Sequence, residues 1–171
     1  MTVTIRDAVD ADLDALIRLN AQMQRLHVQV YPADFKSLTD EGEVRDFLAS
    51  AMRQTDHTFL LAQVDGAVVG YAWFEIQDRP QTPFTWPRKR VFLHHICVDS
   101  GHRRLGVGSA LITRVEEGAL ASGIGEFALD MWSLNDTAQA FFKSCGLKTY
   151  RLFLRKQTVP KGKLPDIRRH T

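Results

Sequence analysis

No apolar run in this sequence is long enough to cross a bilayer, and the opening Met1-Thr2-Val3-Thr4-Ile5-Arg6 lacks the uninterrupted apolar stretch of a secretory signal. A cytoplasmic location and no membrane partner are the resulting expectations. Cysteine is scarce. Two in 171 residues leave no disulfide framework, and Cys97 and Cys145 lack metal-ligand spacing, so both read as packed thiols and no metal is expected. A dominant charge sign is missing too: 22 Lys and Arg against 20 Asp and Glu give a formal net charge of +2. Nothing in that balance favours a nucleic-acid partner. There is no internal repeat and no disorder-prone composition. With 44% hydrophobic and 25% charged residues, the chain reads as one folded domain over residues 1–157, followed by a basic tail, 158–171.

The most informative stretch is His102-Arg103-Arg104-Leu105-Gly106-Val107-Gly108-Ser109. It follows the apolar run Val91 to Val98, which reads as a strand, and enters a helical pattern with apolar residues at Val107, Leu111, Val115 and Ala119. The first NH groups of a helix have no partner inside it, and the aligned peptide dipoles place partial positive charge there. Glycines without a Cβ let a phosphate approach the main chain, and Arg103 and Arg104 add charge. A pyrophosphate is the expected occupant, against the alternative of a plain strand-to-helix turn. The Walker loop is excluded because Ser109-Ala110 follows the last glycine, and the dinucleotide fingerprint because Leu111 replaces its third glycine.

The chain opens with a short strand, Val3-Thr4-Ile5. A helix follows, capped by Asp10 and carrying Leu16, Leu19, Met23 and Leu26 on one face. Its end runs into Leu26 to Phe35, an aromatic, His27-containing segment stopped by Pro32, which is either a connecting turn or a pocket wall. A second helix is expected over Glu43 to Met52. Then Thr58 to Val64 and Val68 to Ile76 read as strands of a hairpin turned by Asp65-Gly66. Residues 77 to 90, rich in proline and arginine, read as an exposed loop. In the strand from Val91, alternation is expected to place His94 and His95 on opposite faces. Further strands are expected over Glu126 to Trp132 and Thr149 to Lys156. Between them a helix runs from Asn135, and Gly146 is its left-handed stop.

Arg103-x-x-Gly106-x-Gly108 between a strand and a helix resembles the coenzyme A pyrophosphate loop of the GCN5-related N-acetyltransferases (GNAT family). Asn135, Ala138, the aromatic pair Phe141-Phe142 and Gly146-Leu147 resemble the second signature of that family, in the same order along the chain. The resemblance implies an α/β GNAT fold: a central, mostly antiparallel mixed sheet of six or seven strands flanked by helices, with a cofactor cleft after the fourth strand. It implies acetyl-CoA (coenzyme A) as cofactor, held by Ile96, Cys97, Val98, Arg103, Arg104, Leu105, Gly106, Val107, Gly108, Ser109, Asn135, Ala138, Phe141 and Phe142. The implied reaction is direct acetyl transfer to a primary amine on a small-molecule or peptide acceptor, and analogy favours a homodimer.

The catalytic groups are less determined. His94 stands where the arylalkylamine branch of the family carries a histidine credited with deprotonating the acceptor, and His95 is its neighbour. Each has the alternative of a hydrogen-bonded core imidazole. At Phe142 many members have a tyrosine that protonates the leaving thiolate, so the acid is either another group, with Tyr150 first among the candidates, or solvent. That departure also sustains the alternative of an acyl-CoA-binding regulatory module without catalysis.

Overall fold

Arg6 holds both carboxylate oxygens of Asp12, at 2.6 and 2.7 Å, while Asp12 Oδ2 also accepts the backbone NH of Val9 at 2.9 Å. This clamp joins the first strand, β1 (Val3–Asp7), to the first long helix, α1 (Leu13–Val30), through a 3-10 turn at Asp10–Asp12. Asp12, rather than the expected Asp10, anchors the entry. The computed structural model describes residues 2–37 and 40–156; the basic tail 158–171 lies outside them. No described helix is long and apolar enough to cross a membrane.

Helix α2 (Glu41–Met52) begins two residues earlier than its periodicity predicts, because the Asp40 side chain accepts from the Gly42 and Glu43 NH groups. Then follow β2 (His57–Val64) and β3 (Ala67–Arg79), joined by Asp65 and Gly66 at φ of 49° and 83°, as the hairpin reading predicts. Next come β4 (Arg88–Val98), α3 (Val107–Ala121), β5 (Phe127–Leu129) and α4 (Asp136–Ser144), with Gly146 at φ 86° ending the last helix. The strands form one sheet in the order β1-β2-β3-β4-β5, antiparallel except for the parallel β4–β5 pair.

Alternation along the strands sends side chains to two cores. Phe59, Leu61, Tyr71, Trp73 and Cys97 meet Leu16 and Leu19 of α1 and Leu48 of α2. Leu60, Ala62, Ala72, Phe74, Val91 and Leu93 meet Val107, Leu111 and Val115 of α3 and Phe142 of α4. Full burial of a leucine-sized side chain contributes about 1.5–3 kcal/mol, so these stripes outweigh local preference.

Three expectations are corrected. The described sheet has five strands, not six or seven. Thr149 to Lys156 forms no strand: it has no ladder partner, Leu152, Phe153 and Leu154 are exposed, and Arg155 is drawn to Asp34 by two hydrogen bonds of 2.6 and 3.1 Å. The expected loop over 77–90 is shorter, because Gln77, Asp78 and Arg79 continue the β3–β4 ladder opposite Arg90, Lys89 and Arg88. Cross-strand pairing overrides composition there, with Lys89 Nζ 3.3 Å from Asp78 and Arg90 Nε donating to Gln77 at 2.7 Å.

Candidate active site

β4 pairs with β5 at Val91, Phe92 and Leu93, and no further. From His95 to Val98 its backbone pairs with β3 on one side and has no ladder partner on the other among the described residues, so that edge of the fourth strand is free. At the end of β4, Asp99 is pinned: it accepts from Gln22 Nε2 at 2.9 Å and from the Gly101 NH at 3.0 Å, and Arg18 lies 3.6 Å away. These contacts tie the following turn to α1. Arg103 then folds back, its Nε donating to the Val98 carbonyl at 3.3 Å, and Arg104 adopts φ 60°, unusual for a residue with a Cβ.

Gly106, at φ 81°, caps α3, and the first bond of this helix runs from the Ala110 NH to the Gly106 carbonyl at 3.0 Å. The earlier NH groups therefore point out of the helix start. A Cβ on Gly106 would meet nothing within 4 Å, whereas one on Gly108 would lie 3.1 Å from Phe141 Cζ. A helix start with unpaired NH groups, open space at Gly106 and two exposed arginines fits a pyrophosphate. Gly108 has a second reason to be glycine, the packing of α4 against α3.

The second motif folds onto the same helix start. Asn135 caps α4, its Oδ1 accepting the Ala138 NH at 3.1 Å, so this side chain is engaged locally. Phe141 covers Gly108 and is half-buried; Phe142 is buried in the core under the sheet. Cys97 turns to the opposite core, its thiol donating to the Leu19 carbonyl at 3.3 Å, and burial pushes its pKa up to about 11. Ile96 and Val98 pack toward the α3 side.

The histidine pair departs from simple alternation. Trp73 pairs with His95 and Phe74 with Leu93, so β4 carries a bulge at His94. The extra residue turns both histidines to the α1–α2 face: His94 stacks on Trp73 at 4.6 Å between centroids, and His95 meets the same indole edge-on at 4.8 Å. Their surroundings then differ. Nδ1 of His95 lies 3.1 Å from the Tyr71 hydroxyl and 3.5 Å from Asn20 Nδ2, and Asn20 also donates to Tyr71 at 3.2 Å. Burial first, then the charge of neighbouring imidazoles, lowers the His95 pKa to about 4.

His94 instead joins two groups absent from the sequence reading. Its Nε2 is 3.3 Å from Glu75 Oε1, and His57 Nε2 is 3.0 Å from Glu75 Oε2. The angle leaves His94 Nε2 enclosed and without a hydrogen-bond partner among the described residues, a state that costs about 1–3 kcal/mol. Burial lowers the His94 pKa and the Glu75 carboxylate opposes that shift. At Glu75, burial acts to raise the pKa, but the bond from Gln77 and the adjacent imidazoles leave it lowered. Glu75 also lines a cavity of about 870 Å³ with Asp56, Arg79, Trp86 and Tyr150. Tyr150 thus lies on that wall, 86% exposed, and no residue of the glycine loop lines it. A lone carboxylate in the expected strand run Val68 to Ile76 was the available signal for Glu75; its register against His94 was not visible.

Beyond the end of α1, the Leu26 to Phe35 segment closes on the loop after β5. Tyr31 packs on Trp132 at 4.5 Å, Phe35 on Trp132 at 4.9 Å and His27 on Phe35 at 4.5 Å, while the Tyr31 hydroxyl accepts the Leu134 NH at 2.8 Å. The end of α1 is therefore joined to the segment that leads into α4.

Solved structures share this architecture. A mutant of the BH1408 protein from Bacillus halodurans superposes with a TM-score of 0.83 at 22% identity, covering 91% of this chain and 99% of that one. AAC(6')-Iy in complex with the bisubstrate analogue CoA-S-monomethyl-acetylneamine gives 0.68 at 22% identity, covering 92% and 100%. In sequence, human N-acetyltransferase 8 is 32% identical over 115 residues, 67% of this chain; the chain spans about half of that relative, 49%. Residues 20–147, from the middle of α1 to the end of the second motif, match the family description itself, and the chain belongs to the acetyltransferase (GNAT) family.

Proposed function

We propose that this protein is an acetyl-CoA-dependent N-acetyltransferase, acting on a primary amine of a small-molecule or peptide acceptor by direct attack on the thioester. The observation that carries the reading is the free edge of β4 beyond Leu93, where its pairing with β5 ends, upstream of the Arg103 to Ser109 helix start. Family membership and the likeness to a structure holding a coenzyme A conjugate support it.

The coenzyme would supply an activated acetyl group. Backbone NH groups from Leu105 to Ser109, with Arg103 and Arg104, would hold its pyrophosphate, and the β4 edge at Ile96, Cys97 and Val98 would align its arm. Asn135, Ala138, Phe141 and Phe142 act from α4, mainly by fixing the shape of that helix start. His94 receives the proton of the acceptor ammonium. Burial keeps it below the usual histidine pKa, and therefore neutral and ready to accept at pH 7. His95, occupied by Tyr71 and Asn20, serves the core. Solvent would protonate the leaving thiolate, since Phe142 has no proton to give and Tyr150 lines the neighbouring cavity.

The test is release of free thiol from acetyl-CoA against a panel of amines, with coenzyme affinity measured by calorimetry. Amine-dependent thiol release is the expected result. Tight coenzyme binding without turnover on any amine would favour the regulatory-module alternative.

A further inference from the structure

The cluster of His57, Glu75 and His94 brings three ligand-type atoms within 4.8 Å of one another, with β2, β3 and β4 contributing one residue each. Its composition would suit a divalent cation, but the fourth member decides against one. Trp73 Nε1 donates to His57 Nδ1 at 3.0 Å. An indole nitrogen is a donor and never an acceptor, so His57 Nδ1 must offer its lone pair. The proton of the neutral imidazole is then on Nε2, the atom that faces Glu75. A metal on Nε2 would need the opposite tautomer, and its Nδ1–H would confront the indole N–H.

Resting on the proposed acetyl transfer, we propose that Trp73, His57 and Glu75 form a positioning relay behind His94, which fixes its proton on Nε2 and directs Nδ1 to the acceptor amine. The order of contacts is Trp73 N–H to His57 Nδ1, His57 Nε2–H toward one oxygen of Glu75, and the other oxygen of Glu75 toward His94 Nε2. The indole also holds the His94 ring by stacking at 4.6 Å, and His57 lies parallel to it at 5.8 Å. Gln77 donates a further bond to Glu75, which keeps the carboxylate ionised and oriented. In the resting structure His94 Nε2 lies 3.3 Å from Glu75 Oε1 but off the hydrogen-bond axis, so the nearby carboxylate charge, rather than an aligned bond, favours the proton on that nitrogen.

The proton step balances simply. The acceptor R–NH3+ gives one proton to His94 Nδ1 and becomes R–NH2; His94 keeps its Nε2 proton and becomes an imidazolium beside the Glu75 carboxylate. His94 then passes the Nδ1 proton to solvent and is neutral again. Among the described residues, the charged or titratable groups around this ring are Glu75 from β3, His57 from β2 with Asp56 4.0 Å from it, and His95 on β4, which shares the Trp73 indole; Arg90 lies over the Phe92 ring, which meets His94 edge-on at 5.2 Å. From α2 the approach is apolar, through Phe47 against Trp73.

Nitrogen-15 NMR of the histidine rings tests the relay on the resting protein, without substrate. Expected are the Nε2–H tautomer at both His57 and His94, and a lower His94 pKa in Glu75→Gln, because the carboxylate that favours the imidazolium is gone. In the acetylation assay, Glu75→Gln should lower kcat by roughly 10-fold to 100-fold with coenzyme affinity unchanged, and move the acidic limb of kcat downward with the NMR pKa. Glu75→Asp should restore part of both. An Nδ1–H tautomer at His57 or His94 in the unmodified protein, or an unchanged His94 pKa in a folded Glu75→Gln protein, would overturn the relay. So would submicromolar binding of Zn2+ lost in His57→Gln. Absence of acetylation by the unmodified protein would instead sink the enzymatic reading and leave the NMR result to stand by itself.

Discussion

The Tyr71 hydroxyl lies 3.1 Å from Nδ1 of His95, and this contact divides two adjacent histidines into different chemical roles. His95 spends its accepting nitrogen on the core. His94, one residue earlier on the same face, has its Nε2 beside a carboxylate and without a hydrogen-bond partner among the described residues.

The His95 pair makes stability depend on pH. Its folded pKa of about 4 lies below the ordinary value near 6.5. The unfolded chain therefore binds more protons between those values, and stability present above about pH 6.5 is lost as pH falls toward 4. One proton contributes a slope of about 1.4 kcal/mol per pH unit across that window. In His95→Gln, which cannot titrate, the fall in unfolding free energy between pH 6.5 and 4.5 should be shallower by up to that slope. An identical pH slope in both proteins would mean His95 is not the buried neutral group described.

His94→Ala should lower turnover by about 10-fold to 1000-fold and leave coenzyme affinity nearly intact. It should also remove an acidic limb of the rate profile, which in the unmodified protein falls below pH 6.5 because burial lowers this pKa. His95→Gln should retain the limb. The reverse pattern in the two variants would place the base at His95.

Gly108 serves two neighbours, and a double substitution separates them. Gly108→Val should weaken coenzyme A binding at least 10-fold, about 1.4 kcal/mol, and also strain the Phe141 ring, which lies 3.1 Å from the new Cβ. Adding Phe141→Leu should recover stability but not affinity. Recovery of affinity as well, by calorimetry, would show that the glycine serves helix packing alone.

Phe142 is buried among apolar side chains. Phe142→Tyr should destabilise the fold by about 1–3 kcal/mol, the cost of a hydroxyl without a partner, and should not speed turnover. Tyr150→Phe should change kcat by less than about threefold, since the tyrosine is exposed on the cavity wall. A hundredfold loss with coenzyme affinity retained would make Tyr150 the acid.

Local chemistry determined much of this protein from its sequence. The Asp65-Gly66 turn, the amphipathic spacing of α1 and α3, Gly106 at a helix start and Gly146 at a helix end are properties of a few neighbouring residues, legible without a partner. What required long-range pairing was not legible. Thr149 to Lys156 has strand-forming residues but no ladder to join, and residues 77–79 and 88–90 have loop-like composition but a cross-strand register that holds them extended. The face of the proposed base turned on one bulge: a single unpaired residue in β4 rotates His94 beside His95, and the register of β2 and β3 then brings His57 and Glu75 to it. A period-two pattern carries no record of a bulge, because the extra residue is defined by the strand opposite and not by its own neighbours.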